Sequence, residues 1–94
     1  MVVSMIQFIL ELPETTTLKE KRRMVLSVKD KLRCRFRISC AEVDLQDSHQ
    51  WAQIGCALVS NSREHGESVL QKALALTETL CRVRDVQVHS EIFE

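Results

Sequence analysis

From Val2 to Leu12 apolar side chains recur at every second position. Ile6, Phe8, Leu10 and Leu12 fall on one side, with Met5, Gln7, Ile9 and Glu11 on the other. A period of two predicts a half-buried strand, and Pro13 ends it because proline has no N–H for the ladder. The period then changes. Thr17-Leu-Lys-Glu20 reads as a capping box, in which the Thr17 hydroxyl accepts from the third helical amide and Glu20 reaches back to the cap. The helix it opens is expected to run to about Cys34, with Leu18, Val25, Val28 and Leu32 as its apolar stripe and Met24 beside it.

Alternation returns with Phe36, Ile38 and Cys40 opposite Arg37, Ser39 and Ala41, a second strand expected to reach about Asp44. The polar stretch from Leu45 to Gln50 is a turn. A third strand takes Trp51 to Val59, with Ala52, Ile54, Cys56 and Leu58 on one face. Asn61 and Glu64 repeat the cap signature before a second helix to about Cys81, whose inward residues are Val69, Leu70, Ala73, Leu74, Thr77 and Leu80. Gly66 near its start costs about 1 kcal/mol relative to alanine and marks a point of close backbone packing. A last strand takes Val83 to Phe93, with Val86 and Val88 as its core pair. The order β-α-β-β-α-β predicts a ferredoxin-like α+β fold: a four-stranded antiparallel sheet with both helices on one face. At 94 residues it is expected to form one domain, residues 1–94.

Charge adds what the apolar pattern does not show. Residues 19 to 37 hold nine basic groups (Lys19, Lys21, Arg22, Arg23, Lys29, Lys31, Arg33, Arg35 and Arg37) against Glu20 and Asp30, a formal +7; the remainder carries −7, so the net charge is zero. Lysine and arginine near the C-terminal end of a helix suit its dipole. Lys19, Lys21, Arg22 and Arg23 stand in the first two turns, where positive charge opposes it, and an anion would account for them. Six residues form the candidate anion or nucleic-acid site: Lys19, Lys21, Arg22, Arg23, Arg35 and Arg37. The competing reading is a solvated face, with Glu20 and Asp30 in local ion pairs.

The outward residues of the central strands are Met5, Gln7, Ile9, Gln53, Gly55, Ala57 and Val59. None is a ring on which a base could stack, so contact with RNA is expected to be backbone-directed. The same face is partly apolar, which predicts a homodimer. Glu42, Asp44, Asp47 and His49 make a thin case for a metal site. Asp44 and Asp47 have ordinary work as turn residues, and Glu42 shares its face with Phe36, Ile38 and Cys40, where burial and pairing with a base of the first helix are expected.

The four cysteines, Cys34, Cys40, Cys56 and Cys81, have neither Cys-x-x-Cys nor zinc-ligand spacing, and reduced structural thiols are expected. Cys34, between Arg33 and Arg35, has the setting of a reactive thiol. No Gly-rich phosphate loop, zinc motif or nucleophile with a readable base is present. No cofactor and no catalytic residue are therefore expected. No apolar run approaches the roughly 18 residues that span a bilayer, and the first ten residues lack the basic start and small-residue cleavage site of a signal peptide. The expectation is a cytoplasmic protein without a membrane partner.

On this framework the chain resembles the YlxP-like family of small bacterial ferredoxin-like proteins. The residues that carry the resemblance are Leu18-Lys-Glu-Lys-Arg-Arg23, Ala41-Glu-Val-Asp44, Gln46-Asp47, Gly55 and Ser60-Asn61, and it covers essentially the whole chain. Ser4 stands where many members have glycine, and Trp51 where a smaller or basic side chain is more usual. Genes of the family commonly lie beside those for translation initiation and ribosome-maturation factors. The resemblance thus implies a non-enzymatic module with RNA or a ribosomal particle as partner. The alternative is an adaptor that meets an acidic protein through the basic face and dimerises through the open sheet.

Overall fold

The computed structural model describes residues 1–94. Its elements are β1 (Val2–Glu11), α1 (Leu18–Phe36), β2 (Ser39–Asp44), β3 (Trp51–Ser60), α2 (Arg63–Leu80) and β4 (Arg82–Ile92). The four strands form one antiparallel sheet in the order β2-β3-β1-β4, the predicted ferredoxin-like arrangement. Ile6, Phe8, Leu10, Ala52, Ile54 and Cys56 point to the face that both helices cover. There they meet Val25, Val28 and Leu32 of α1 and Leu70 and Ala73 of α2. Full burial of a side chain the size of Leu10 or Leu32 contributes roughly 1.5–3 kcal/mol, so the alternation in β1 and the helical stripes are what hold the layers together.

Three local features differ from the sequence reading. Helix α1 continues to Phe36 rather than stopping near Cys34. Phe36 lies one turn beyond Leu32 and extends the same apolar stripe, which outweighs its strand-like alternation with Ile38. Arg35 is therefore on the helix and not at a strand entry. The helix stops at Arg37, whose backbone is left-handed (φ 54°, ψ 42°) and whose N–H donates to the Arg33 carbonyl at 2.9 Å. At the start of α2 the cap is Ser62, not Asn61: the Ser62 Oγ accepts from the His65 amide at 3.2 Å. At the start of α1 the Thr17 hydroxyl accepts from the Glu20 amide as predicted, at 3.1 Å. The Glu20 carboxylate, however, accepts from the amide of Thr16, at 3.0 Å, rather than from Thr17.

Val86 and Val88 are not a core pair; they are 42% and 37% exposed. β4 is the outermost strand on its side, and α2 lies chiefly over β1. The pairing of β4 with β1 is also irregular: Gln7 faces Gln87 but Ile9 faces Arg84, with Asp85 left-handed at φ 53°. The irregularity opposes Asp85 and Val86 to the single residue Phe8, which breaks the period-two pattern there. The residue of this strand that packs against the core is Val83 instead.

Left-handed backbone costs an L-residue roughly 1–2 kcal/mol that glycine does not lose. Arg37→Gly is therefore expected to raise stability by about 1 kcal/mol, seen as a shift of the urea midpoint without a change in slope.

Candidate nucleic-acid interface

Helix α1 presents its charge on three sides. With about 100° between successive residues, Lys21, Val25, Val28 and Leu32 line the buried side. Arg22, Lys29 and Arg33 lie on one flank, Lys19 and Arg23 point outward, and Lys31 and Arg35 lie on the other flank. Lys19, Arg22, Arg23, Arg35 and Arg37 are all exposed. None of the five makes an ion pair. Glu20, the acid set among the first of them, is committed to the Thr16 amide and hydroxyl. The local neutralisation considered from the sequence is thus absent from the first two turns. Asp30 does stand near Arg33, at 3.8 Å between Oδ1 and Nη1. Arg33 also donates through Nη2 to the Cys40 carbonyl at 2.6 Å, which ties α1 to the first turn of β2.

The structure does not gather the proposed residues into one row. Arg35 lies beside a shallow depression between the helices, with Phe36, Lys72 and Leu76, and its guanidinium is 5.9 Å from the Phe36 ring. Arg22 is on the opposite flank, and Arg37 follows the last turn. From Lys19 to Arg37 the charge extends over roughly 27 Å at 1.5 Å per residue. This is a broad electropositive surface rather than a pocket.

Lys21 leaves the set. It is wholly buried, and its Nζ lies 2.7 Å from Glu42 Oε2. The same ammonium donates to the Leu45 carbonyl and, at 3.4 Å, to the Gln46 carbonyl. The ammonium thus donates to two carbonyls and faces the Glu42 carboxylate as its counter-charge. Glu42 Oε2 is buried and makes no hydrogen bond of its own, so the ionic contact with Lys21 is what offsets its desolvation. The predicted pairing of Glu42 with a base of the first helix is present, and that base is Lys21. The sequence carried the signal: Lys21 is four, seven and eleven residues before Val25, Val28 and Leu32, a core-facing position. The pair joins the two runs Leu18–Arg23 and Ala41–Asp44 and holds the β2–β3 turn, where Leu45 is left-handed at φ 63°.

The acidic turn does not converge on a point. The register of β2 on β3 shifts between Glu42 and Asp44. Glu42 points under α1, whereas Asp44 is exposed and uses Oδ1 to accept from the Leu45 amide at 2.7 Å. Asp47 and His49 are exposed. On the open sheet face Gln53 donates to Gln7 across the strands at 3.0 Å. Trp51 sits at its edge, with the Arg84 guanidinium 5.6 Å from the ring. That guanidinium is also held by Glu11, at 3.3 Å. The sheet centre is a patch of small and aliphatic side chains without a stacking platform. No helix is long and apolar enough to cross a membrane.

Two solved structures share the architecture. The de novo designed protein Foldit4 matches with a TM-score of 0.57 and 12% identity, over 99% of this chain and 98% of that one. The protein At3g17210 from Arabidopsis thaliana matches with a TM-score of 0.50 and 9% identity, over 98% of this chain and 95% of that one. Identities this low bear on the fold alone. In sequence the chain is 31% identical to the uncharacterized protein YlxP of Bacillus subtilis (strain 168) over 77 residues, which are 82% of this chain and 84% of that relative. Residues 3–90 match the family described as protein of unknown function (DUF503). With the Lys21–Glu42 pair joining the two runs that first pointed to YlxP-like proteins, and with the match spanning nearly every element of the fold, the chain belongs to the DUF503 family.

Proposed function

We propose that this protein is a non-enzymatic module that docks on the phosphate backbone of RNA, of ribosomal or ribosome-associated origin, through the exposed side of α1. The observation that carries this reading is the set Lys19, Arg22, Arg23, Arg35 and Arg37: exposed, without an acidic partner, and concentrated in part where it opposes the helix dipole. Unpaired like charges on one helix repel one another. A polyanion relieves that repulsion and releases its own counterions, which supplies most of the affinity of backbone-directed binding. The non-aromatic sheet centre accords with contact that reads shape and phosphate rather than bases. The ribosomal origin rests on the gene neighbourhood of the resembling family.

The test is binding of the purified protein to ribosomal subunits and to bulk RNA across a salt series. Three to five phosphate contacts give a slope of log K against log salt of roughly −2 to −4. Arg22→Glu/Arg23→Glu is expected to flatten that slope by at least about 1.4, two contacts at 0.7 each. Arg22→Lys is expected to bind nearly as the parent does. Absence of binding at low salt, or an unchanged slope in the double variant, would remove RNA from this surface. A single arginine that dominates and rejects lysine would favour an acidic protein partner instead.

A further inference from the structure

The sequence places Cys40 and Cys56 sixteen residues apart with no motif between them, but the fold makes them neighbours. β2 and β3 pair so that Cys40 stands directly opposite Cys56. Both thiols are buried under the helices and reduced, with Sγ atoms 3.3 Å apart. Directly opposed residues of an antiparallel pair have Cα atoms about 4.5–5.5 Å apart, inside the range a disulfide spans. A closing movement of about 1 Å between the sulfurs brings them to bonding distance. Neither the backbone direction nor the register stands in the way.

The surroundings distinguish the two sulfurs. The thiol of Cys56 hydrogen-bonds to Cys40 and so favours the Cys40 thiolate; burial opposes this, and the charges of Arg33 and Lys29 assist it, so the Cys40 thiol is lowered from its ordinary value. The same hydrogen bond, together with burial, raises the Cys56 thiol. Arg33 is fixed beside the pair by its bond to the Cys40 carbonyl. β2 is also an edge strand of six residues, the kind of element that opens at low cost.

We propose that Cys40 and Cys56 are a thiol–disulfide site, in which Cys40 is the attacking sulfur and Cys56 the resolving one, with a low-molecular-weight disulfide as co-reactant. The Cys40 thiolate attacks one sulfur of the reagent, forming a mixed disulfide and expelling the other half as a thiolate. That thiolate takes the Cys56 proton. Cys56 then attacks Cys40 Sγ, the mixed disulfide breaks, and the second half leaves as a thiolate that takes from solvent the proton Cys40 released on ionising. Two protein thiols are oxidised and one reagent disulfide is reduced to two thiols. The product fastens the edge strand to β3 two residues before Glu42, the partner of Lys21.

The experiment uses the full chain with the exposed thiol removed, Cys34→Ser, incubated with 2-hydroxyethyl disulfide and then unfolded in the presence of iodoacetamide. Trypsin leaves both cysteines in one peptide, residues 38–63. The expected result is that this peptide carries no alkyl group and is lighter by about 2 Da, the two hydrogens lost on oxidation, while Cys81 is alkylated. With Cys40→Ser added, Cys56 is expected to be alkylated in full. A 38–63 peptide alkylated twice after oxidation, one that retains a reagent adduct, or one joined to the Cys81 peptide would each overturn the proposal.

Discussion

Replacement of Lys21 by methionine is expected to lower the stability of the protein by about 3–5 kcal/mol, the usual cost of leaving one member of a buried ion pair without the other. The loss has a definite location. Without the ammonium, the Glu42 carboxylate remains under α1 with a buried oxygen that accepts no hydrogen bond. The Leu45 and Gln46 carbonyls also lose their donor. The double variant Lys21→Met/Glu42→Gln removes both charges, and it is expected to recover much of the loss, because the charge left without a partner is the larger part of the cost. Urea unfolding of the parent, both single variants and the double variant gives the coupling directly. Equal losses in the single and double variants would show that the two carbonyl contacts, and not the charge pair, are what Lys21 supplies. Lys21→Met is also expected to leave the salt slope of RNA binding unchanged in protein that remains folded, because this ammonium does not reach the surface.

The second large effect is expected at Gly66→Ala. An alanine Cβ there would overlap Ser4 Oγ and would stand 3.0 Å from Ser4 Cβ and 3.3 Å from Ser60 Oγ. Ser4 is fully buried and cannot simply rotate away, because its hydroxyl is 3.0 Å from that of Ser90. Ser90 in turn donates to Glu67 at 2.7 Å, and Glu67 is held by Arg63 at 3.1 Å. The Ser90 hydroxyl first, and Arg63 after it, hold the Glu67 carboxyl below its ordinary value. Overpacking of this kind costs about 1–3 kcal/mol. Alanine's better helix propensity returns at most about 1 kcal/mol of it. Ser4→Gly/Gly66→Ala moves the small residue from the helix to the strand and should be more stable than Gly66→Ala alone. Here Ser4 occupies the space above Gly66. Measured additivity of the two substitutions would mean that α2 shifts as a whole to make room.

The oxidation chemistry and the RNA-binding reading separate cleanly in experiment. The Cys40–Cys56 link is read by mass in the absence of RNA. The RNA interface is read by salt dependence in reduced protein. Arg37→Gly adds a further distinction, because it is expected to raise stability while it removes one candidate phosphate contact. Stability and affinity therefore move in opposite directions at that position.

The periods of the apolar residues by themselves determined the elements of this protein. Ile6, Phe8 and Leu10 at every second position, and Val25, Val28 and Leu32 at helical spacing, admit only one face each, and a one-residue slip would expose all of them. The capping residue Thr17 and the stop at Pro13 were also legible, because caps and breaks act through local backbone chemistry. The concentration of charge between residues 19 and 37 was visible in the sequence too. Only tertiary structure decided which of those charges are available. The helical phase of Lys21 with Val25, Val28 and Leu32 marks it as core-facing, but that Lys21, and not another base of α1, meets Glu42 twenty-one residues later depends on how α1 lies over β2. The same holds for Cys40 and Cys56, whose contact depends on the register of β2 against β3. Val86 and Val88 failed as core residues because burial in an outer strand depends on how far a helix reaches over it. Local alternation tells which side a residue faces; what covers that side is settled by the packing of elements distant in sequence.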